Sequence, residues 1–335
     1  MTGTNAYEGA YHNENAVYLR AGAYEAVMLP DTGGNLIAFR NHEKGYRFLH
    51  EPGLEQMEEF KARPMIHGIP VLFPPNRYED GKFPWNGEVH HLPINEEATG
   101  HHLHGFVYNI PWKVDEFGHS KEEAFVTVSI EVDENHPVFQ SFPFQFHIQL
   151  RYSLSHQGLS QRVTVTNIGQ EVMPCLLAFH TSINAPYVEG GNAKDYRLKL
   201  TIGKRWELNG RMLPTGSHLE LSPDELVMQG AGVYPFFESM DNHYTSAAQN
   251  GRNRMELTDI KEKLTLIYDV GTSYKQWMIW NNEATEGFFC PEPQINLVNA
   301  PNMEMPKEEI GLFSLQPNEI WEETSRMYVK QSSES

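Results

Sequence analysis

The chain has 335 residues, of which 40% are hydrophobic and 12% aromatic, enough apolar surface to build a sizeable core and to argue against a disordered chain. Its 26 Lys and Arg stand against 44 Asp and Glu, a formal net charge of −18 that repels phosphate backbones and anionic lipid, so neither nucleic acid nor a membrane is expected as a partner. The polar stretch 1–16 has no basic-then-apolar signal pattern, no run of about 20 apolar residues occurs, and the two cysteines, Cys175 and Cys290, form no CxxC pair; a cytoplasmic protein with both thiols buried as small hydrophobes is the expectation.

In chain order, the first regular features are a short helix around Leu54–Ala62 and an Asn86-Gly87 tight turn. Val126, Val128, Ile130 and Val132 alternate with polar residues, the pattern of a half-buried antiparallel strand. Residues 144–166 repeat it twice around His156-Gln157-Gly158 and predict a hairpin. Further tight turns are expected at Asn209-Gly210 and Asn250-Gly251. Between them, Ser222-Pro223-Asp224-Glu225 reads as a capped helix start for 222–227. Leu264, Leu266, Tyr268 and Val270 give one more alternating strand. Many strands, few helices, no flexible linker and no repeat predict a single domain over residues 1–335. Its class is all-β, a large antiparallel sandwich or barrel with few short helices.

Four segments break this texture. Gly68-Ile69-Pro70-Val71-Leu72-Phe73-Pro74-Pro75-Asn76-Arg77-Tyr78 carries three prolines, which a central ladder cannot accommodate, so it is an edge or irregular segment. It ends in Asn76-Arg77, where Arg77 is either an exposed surface residue or one held in a cleft by the rigid turn before it. Gly100-His101-His102-Leu103-His104-Gly105-Phe106 places His102 and His104 two apart, on one face if the segment is a strand. A metal would need further ligands from elsewhere, and the spacing matches no ligand motif. Gly105 signals a bend or close backbone approach. In Ala178-Phe179-His180-Thr181, His180 follows an apolar run and by residue type reads first as a structural histidine. In Phe288-Phe289-Cys290-Pro291-Glu292-Pro293-Gln294, two prolines fix where Glu292 points. Apolar neighbours raise a carboxyl pKa, which suits a general base, although an exposed loop Glu is equally consistent. Glu238-Ser239-Met240-Asp241-Asn242-His243-Tyr244 is a weaker fifth segment, a polar turn or a set of hydrogen-bonding groups for sugar hydroxyls.

The order of GIPVLFPPNRY, NGEVHHLPINE, HHLHGF, LAFHTSINAPY, DNHY and PEPQINLVNAPN, running from Gly68 to Asn302, resembles the aldose 1-epimerase (galactose mutarotase-like) family. The resemblance implies a large antiparallel β-sandwich with a sugar in a cleft on its concave face. It implies Glu292 as general base, His180 as general acid, and His104 as a hydrogen-bond partner of the ring oxygen or a neighbouring hydroxyl. Asn76, Arg77, Asp241 and Gln294 match positions that bind the sugar, with Asp241 matched in a loose register. No metal or other cofactor is implied, and the expected partner is a small-molecule sugar, with the oligomeric state left open. Phe73, Tyr78, Phe106 and Trp280 are candidate aromatic walls. Three other readings compete: a hexose-6-phosphate 1-epimerase, which needs a cluster of cations; a non-catalytic carbohydrate-binding protein; and a metal-dependent, cupin-like isomerase using His102 and His104.

Overall fold

Alternation becomes strand because one face of each segment finds a core. In Phe146–Ser155 every second residue is buried, and the strand pairs with Gly158–Asn167 across a two-residue turn. The structure, a computed structural model, describes residues 3–331, so Met1, Thr2 and 332–335 of the expected domain lie outside the description. The strands form three main antiparallel sheets.

The first is a five-stranded meander of Thr4–Tyr11, Glu14–Ala21, Tyr24–Leu29, Asn35–Asn41 and Tyr46–Arg47. The second has eight strands, in the order Lys113–His119, Glu123–Val132, Phe146–Ser155, Gly158–Asn167, Ile320–Gln331, Leu264–Asp269, Arg254–Asp259 and Tyr196–Leu200. The third runs Pro214–Leu219, Ile202–Leu208, Asp241–Ser246, Gln276–Trp280, Gly287–Gln294, Ala178–Phe179 and Val71–Leu72, with Ile183–Ala185 also paired to Gly287–Gln294. One apolar cluster joins inward residues of the second sheet, such as Val126, Ile148 and Val163, to Trp206, Trp277, Ile279 and Phe289 of the third. This is the expected sandwich.

Most local expectations hold. The helix Met57–Ala62 follows a 3₁₀ turn at Leu54–Gln56. Ser222 caps Pro223–Gln229: its hydroxyl accepts from Glu225 N, and Glu225 accepts from Ser222 N in return. Asn86-Gly87 and Asn250-Gly251 adopt paired positive φ. Asn209-Gly210 does not. There the positive φ falls on Met212, and Asn209 Oδ1 accepts from Arg211 N and Leu213 N, a side-chain-built turn that replaces the tight one. The polar face of Glu123–Val132 is not solvated throughout either. Thr127 is buried and donates to Glu116, because Lys113–His119 pairs alongside. Both cysteines are free and buried. Among the described residues no helix is long and apolar enough to cross a membrane.

Candidate active site

The proline-rich segment is indeed an edge, since Val71–Leu72 closes one side of the third sheet. Beyond it the chain turns at Asn76, which has φ 60°, a conformation that Asn tolerates better than most residues. Asn76 Oδ1 accepts from Arg77 N. Two backbone bonds, His104 N to Asn76 O and Phe106 N to Phe73 O, fasten the histidine-rich segment alongside. Gly105 has φ 71°, and a Cβ there would lie 2.3 Å from the Phe73 carbonyl, so only glycine permits this approach. That contact carries the His104 ring to the same place as Arg77.

From the strand beside that edge, His180 N bonds to Pro70 O at the end of Ala178–Phe179, and Ala178 lies between Leu72 and Gln294. On the next strand, Glu292 faces Met278, and Met278 faces His243. Strand alternation therefore puts Glu292, Met278, His243, Asp241 and Trp280 on one face, with Pro291, Pro293, Ile279 and Trp277 on the other. The two prolines are tolerated because Gly287–Gln294 loses its second neighbour between Phe289 and Gln294. In that gap His180 turns toward Glu292.

The result is a cleft of about 420 Å³ lined by Asn76, Arg77, His104, Tyr108, His180, Asp241, Met278 and Trp280, with Arg63, Met65 and Ile66 at its wall. Glu292 is fully buried, and its Oε1 lies 3.2 Å from His180 Nε2. The His104 and His180 rings meet edge to face, 5.4 Å apart. Arg77 is clamped by Glu96, which accepts from Nε at 3.0 Å and Nη2 at 3.0 Å, and Arg77 Nη2 lies 3.6 Å from Asp241.

Burial controls the protonation of these groups. It pushes the Glu292 carboxyl well above the carboxylate range, assisted by Asp241 and opposed by Arg77 and Gln294. It lowers His180 to about 4 and His104 well below the usual imidazole value. Asp241 is raised by burial and, less strongly, by Glu96, against the pull of Arg77. Five buried polar atoms here have no hydrogen-bond partner: Arg77 Nη1, His104 Nδ1, His180 Nδ1, Asp241 Oδ1 and His243 Nε2. Buried polar atoms are normally paired, so such a concentration marks a place built for a polar ligand. A larger groove of about 740 Å³ between Tyr11, Arg40 and Arg47 shows no such orphaned atoms, and both of these arginines pair with Glu51.

A family model described as aldose 1-epimerase matches residues 15–328. The chain belongs to the aldose 1-epimerase family. A galactose mutarotase-like protein from Clostridium acetobutylicum is 30% identical and superposes with a TM-score of 0.94 over 98% of this chain and 99% of that one. Galactose 1-epimerase from Lactobacillus acidophilus shares the fold at 16% identity, with a TM-score of 0.73 over 99% of this chain and 100% of that one. YihR, an uncharacterised protein of Escherichia coli K12, is 26% identical over 204 residues, and this match spans 60% of each chain.

Within this aldose 1-epimerase-family cleft, several sequence expectations need correction. Gln294 is buried on the same strand face as Glu292, with its Nε2 3.5 Å from Glu292 Oε2. His102 and His104 do not share a face. The strand ends at Leu103, and His104 has φ 68°, so His102 turns toward Tyr78 and Phe106 with its Nδ1 on the Pro93 carbonyl. Among the described residues no group of three or more His, Cys, Asp or Glu is arranged to hold a metal. Phe73 and Tyr78 belong to the core and Phe106 packs against it; of the four aromatic candidates only Trp280 lines the cleft, and Tyr108 joins it. Sequence reasoning missed Glu96, Tyr108 and Met278. The quoted run NGEVHHLPINE ends on Glu96 and held the one available signal.

Proposed function

We propose that this protein is an aldose 1-epimerase that interconverts the α and β anomers of a free, unphosphorylated aldose. The observation that carries the proposal is the buried Glu292 carboxyl 3.2 Å from His180 Nε2 beneath a cleft of unsatisfied polar atoms. Burial favours the uncharged pair, carboxylic acid and neutral imidazole, in the open cleft. Shifting that one proton to His180 leaves a carboxylate base and an imidazolium acid. Glu292 then takes the proton of the C1 hydroxyl, C1 becomes a carbonyl as its bond to the ring oxygen breaks, and the ring oxygen takes the proton from His180. Rotation about C1–C2 and the reverse transfers close the ring on the other face, so the step needs no net proton exchange with solvent.

In this reading His104 bonds the ring oxygen or a neighbouring hydroxyl, and Arg77, Asp241 and Asn76 bind further hydroxyls. The charge pairing of Arg77 with two carboxylates supports a neutral aldose over a hexose phosphate. The Glu292–His180 contact supports catalysis over simple sugar binding. One apolar cluster running from Val17 to Met327 supports action as a single domain, and two unpaired thiols suit a cytoplasmic setting.

The test is polarimetric mutarotation of freshly dissolved α-glucose and α-galactose, with and without EDTA. Acceleration that survives EDTA is expected. No acceleration of any free aldose refutes the reading, and EDTA-sensitive acceleration refutes its metal-free form.

A further inference from the structure

We infer that Glu96 is a positioning residue that fixes Arg77 so that one face of its guanidinium, Nη1, is offered to a neutral sugar hydroxyl and the cation is withheld from anionic ligands. This rests on the proposed sugar-binding role of the cleft and extends it to a residue outside the sequence landmarks of catalysis.

The geometry is a fork. Glu96 accepts from Arg77 Nε with both oxygens, at 3.2 and 3.0 Å, and from Nη2 with Oε1 at 3.0 Å. Nη2 also faces Asp241 Oδ2 at 3.6 Å, which leaves Nη1 as the one guanidinium nitrogen that is buried and unpartnered. Bidentate pairing of this kind fixes both the plane and the rotation of the guanidinium. Glu96 is itself held. The Thr99 hydroxyl donates to it, and its own backbone N–H bonds to His101 O across a short loop. Arg211 ties that loop down by donating from Nε to Thr99 O at 3.0 Å and from Nη2 to Asp80 at 2.6 Å. Asn95, next to Glu96 and lining the cleft, makes a paired set of bonds with the Leu103 backbone at 2.7 and 3.0 Å. The clamp is thus braced by the loop that carries it.

Electrostatics gives this arrangement a consequence that scaffolding alone lacks. One guanidinium facing two carboxylates leaves the cleft floor with no surplus positive charge. An anionic sugar meets Asp241 and Glu96 together with a cation that is already neutralised. Removing the Glu96 charge frees Arg77 electrostatically while loosening its orientation.

The test compares Glu96→Gln and Glu96→Ala with the wild type in the full-length protein. Galactose binding is measured by titration calorimetry, mutarotation by polarimetry, and glucose 6-phosphate binding in competition. Gln keeps the volume and one acceptor, so E96Q retains the fold, which circular dichroism verifies. The expected result is galactose affinity weakened roughly tenfold in E96A and less in E96Q, as for loss of a charged hydrogen bond. KM rises in parallel, kcat stays within about threefold, and glucose 6-phosphate binds several-fold more tightly to both variants. Unchanged galactose affinity, or a fall in kcat and thermal stability with no gain in glucose 6-phosphate binding, overturns the inference. Because binding is read without turnover, a wild-type protein that binds galactose but accelerates the mutarotation of no free aldose rejects the proposed activity and still leaves the role of Glu96 decided.

Discussion

Replacing Glu292 by Gln separates its chemistry from its packing. The side chain is fully buried with its two oxygens near His180 and Gln294, and Gln fills the same volume. An amide cannot take the proton of the C1 hydroxyl. The loss of a positioned general base lowers turnover by roughly 10²–10⁴-fold, about 3–5 kcal/mol of transition-state stabilisation. Arg77, Asp241 and His104 are untouched, so KM changes by no more than about threefold. Stability moves the other way. Burial raises the folded-state pKa of Glu292 above its unfolded value. The folded wild type therefore holds a proton that the unfolded chain gives up, and its stability falls as pH rises above about 4.3 toward the folded pKa. Gln carries no such burden, so E292Q melts at the wild-type temperature or higher at pH 8. Polarimetry with α-galactose and thermal melts by circular dichroism, each at pH 5 and pH 8, make the comparison. A variant within threefold of the wild-type rate refutes Glu292 as the base. A variant that loses activity and melts earlier at pH 8 shows that its role is structural.

His180→Asn removes the acid but keeps a polar group of similar shape, and polarimetric kcat is expected to fall roughly 10²–10⁴-fold with circular dichroism unchanged. Gly105→Ala puts a Cβ 2.3 Å from the Phe73 carbonyl at φ 71°; chemical denaturation is expected to show a loss of about 2 kcal/mol or more, and polarimetry a drop in activity as His104 is displaced. Burial holds His67 at about 3 and His50 at about 4. Both pKa values are depressed below the unfolded 6.5, so the unfolded state binds the extra protons and stability is lost as pH falls from 6.5 through these values. Urea midpoints at pH 7 and pH 5 are expected to show a smaller fall in His67→Phe than in the wild type, and equal falls would show that His67 does not drive the acid sensitivity.

The fold was largely legible because its signals are local. The alternation in Phe146–Ser155 and Gly158–Asn167 appears in the structure residue for residue, and the Ser222 box caps a real helix. Where a local rule failed, a neighbour had intervened. Asn209 built its turn with its own side chain, and Thr127 lost solvent to Lys113–His119. The site was legible only in part. His180 looked structural by residue type, and it was the family resemblance that set it beside Glu292. Glu96 escaped because the run that ends on it marks the segment, while nothing local tells that one carboxylate from the other acidic residues until its partner is known.

The sequence by itself determined the alternating strands such as Phe146–Ser155, the Ser222 cap and the bend at Gly105, because each depends on residues within a few positions of one another. Tertiary structure alone decided that His102 faces the core and His104 the cleft, that Trp280 rather than Tyr78 forms a wall, and that Arg77 is spoken for by Glu96 and Asp241. Period-2 alternation states that a strand has two faces but not which one meets the opposite sheet. Charge pairing across 19 residues in one case, and across strands far apart in the chain in the other, is set by how the sheets stack rather than by any spacing in the sequence.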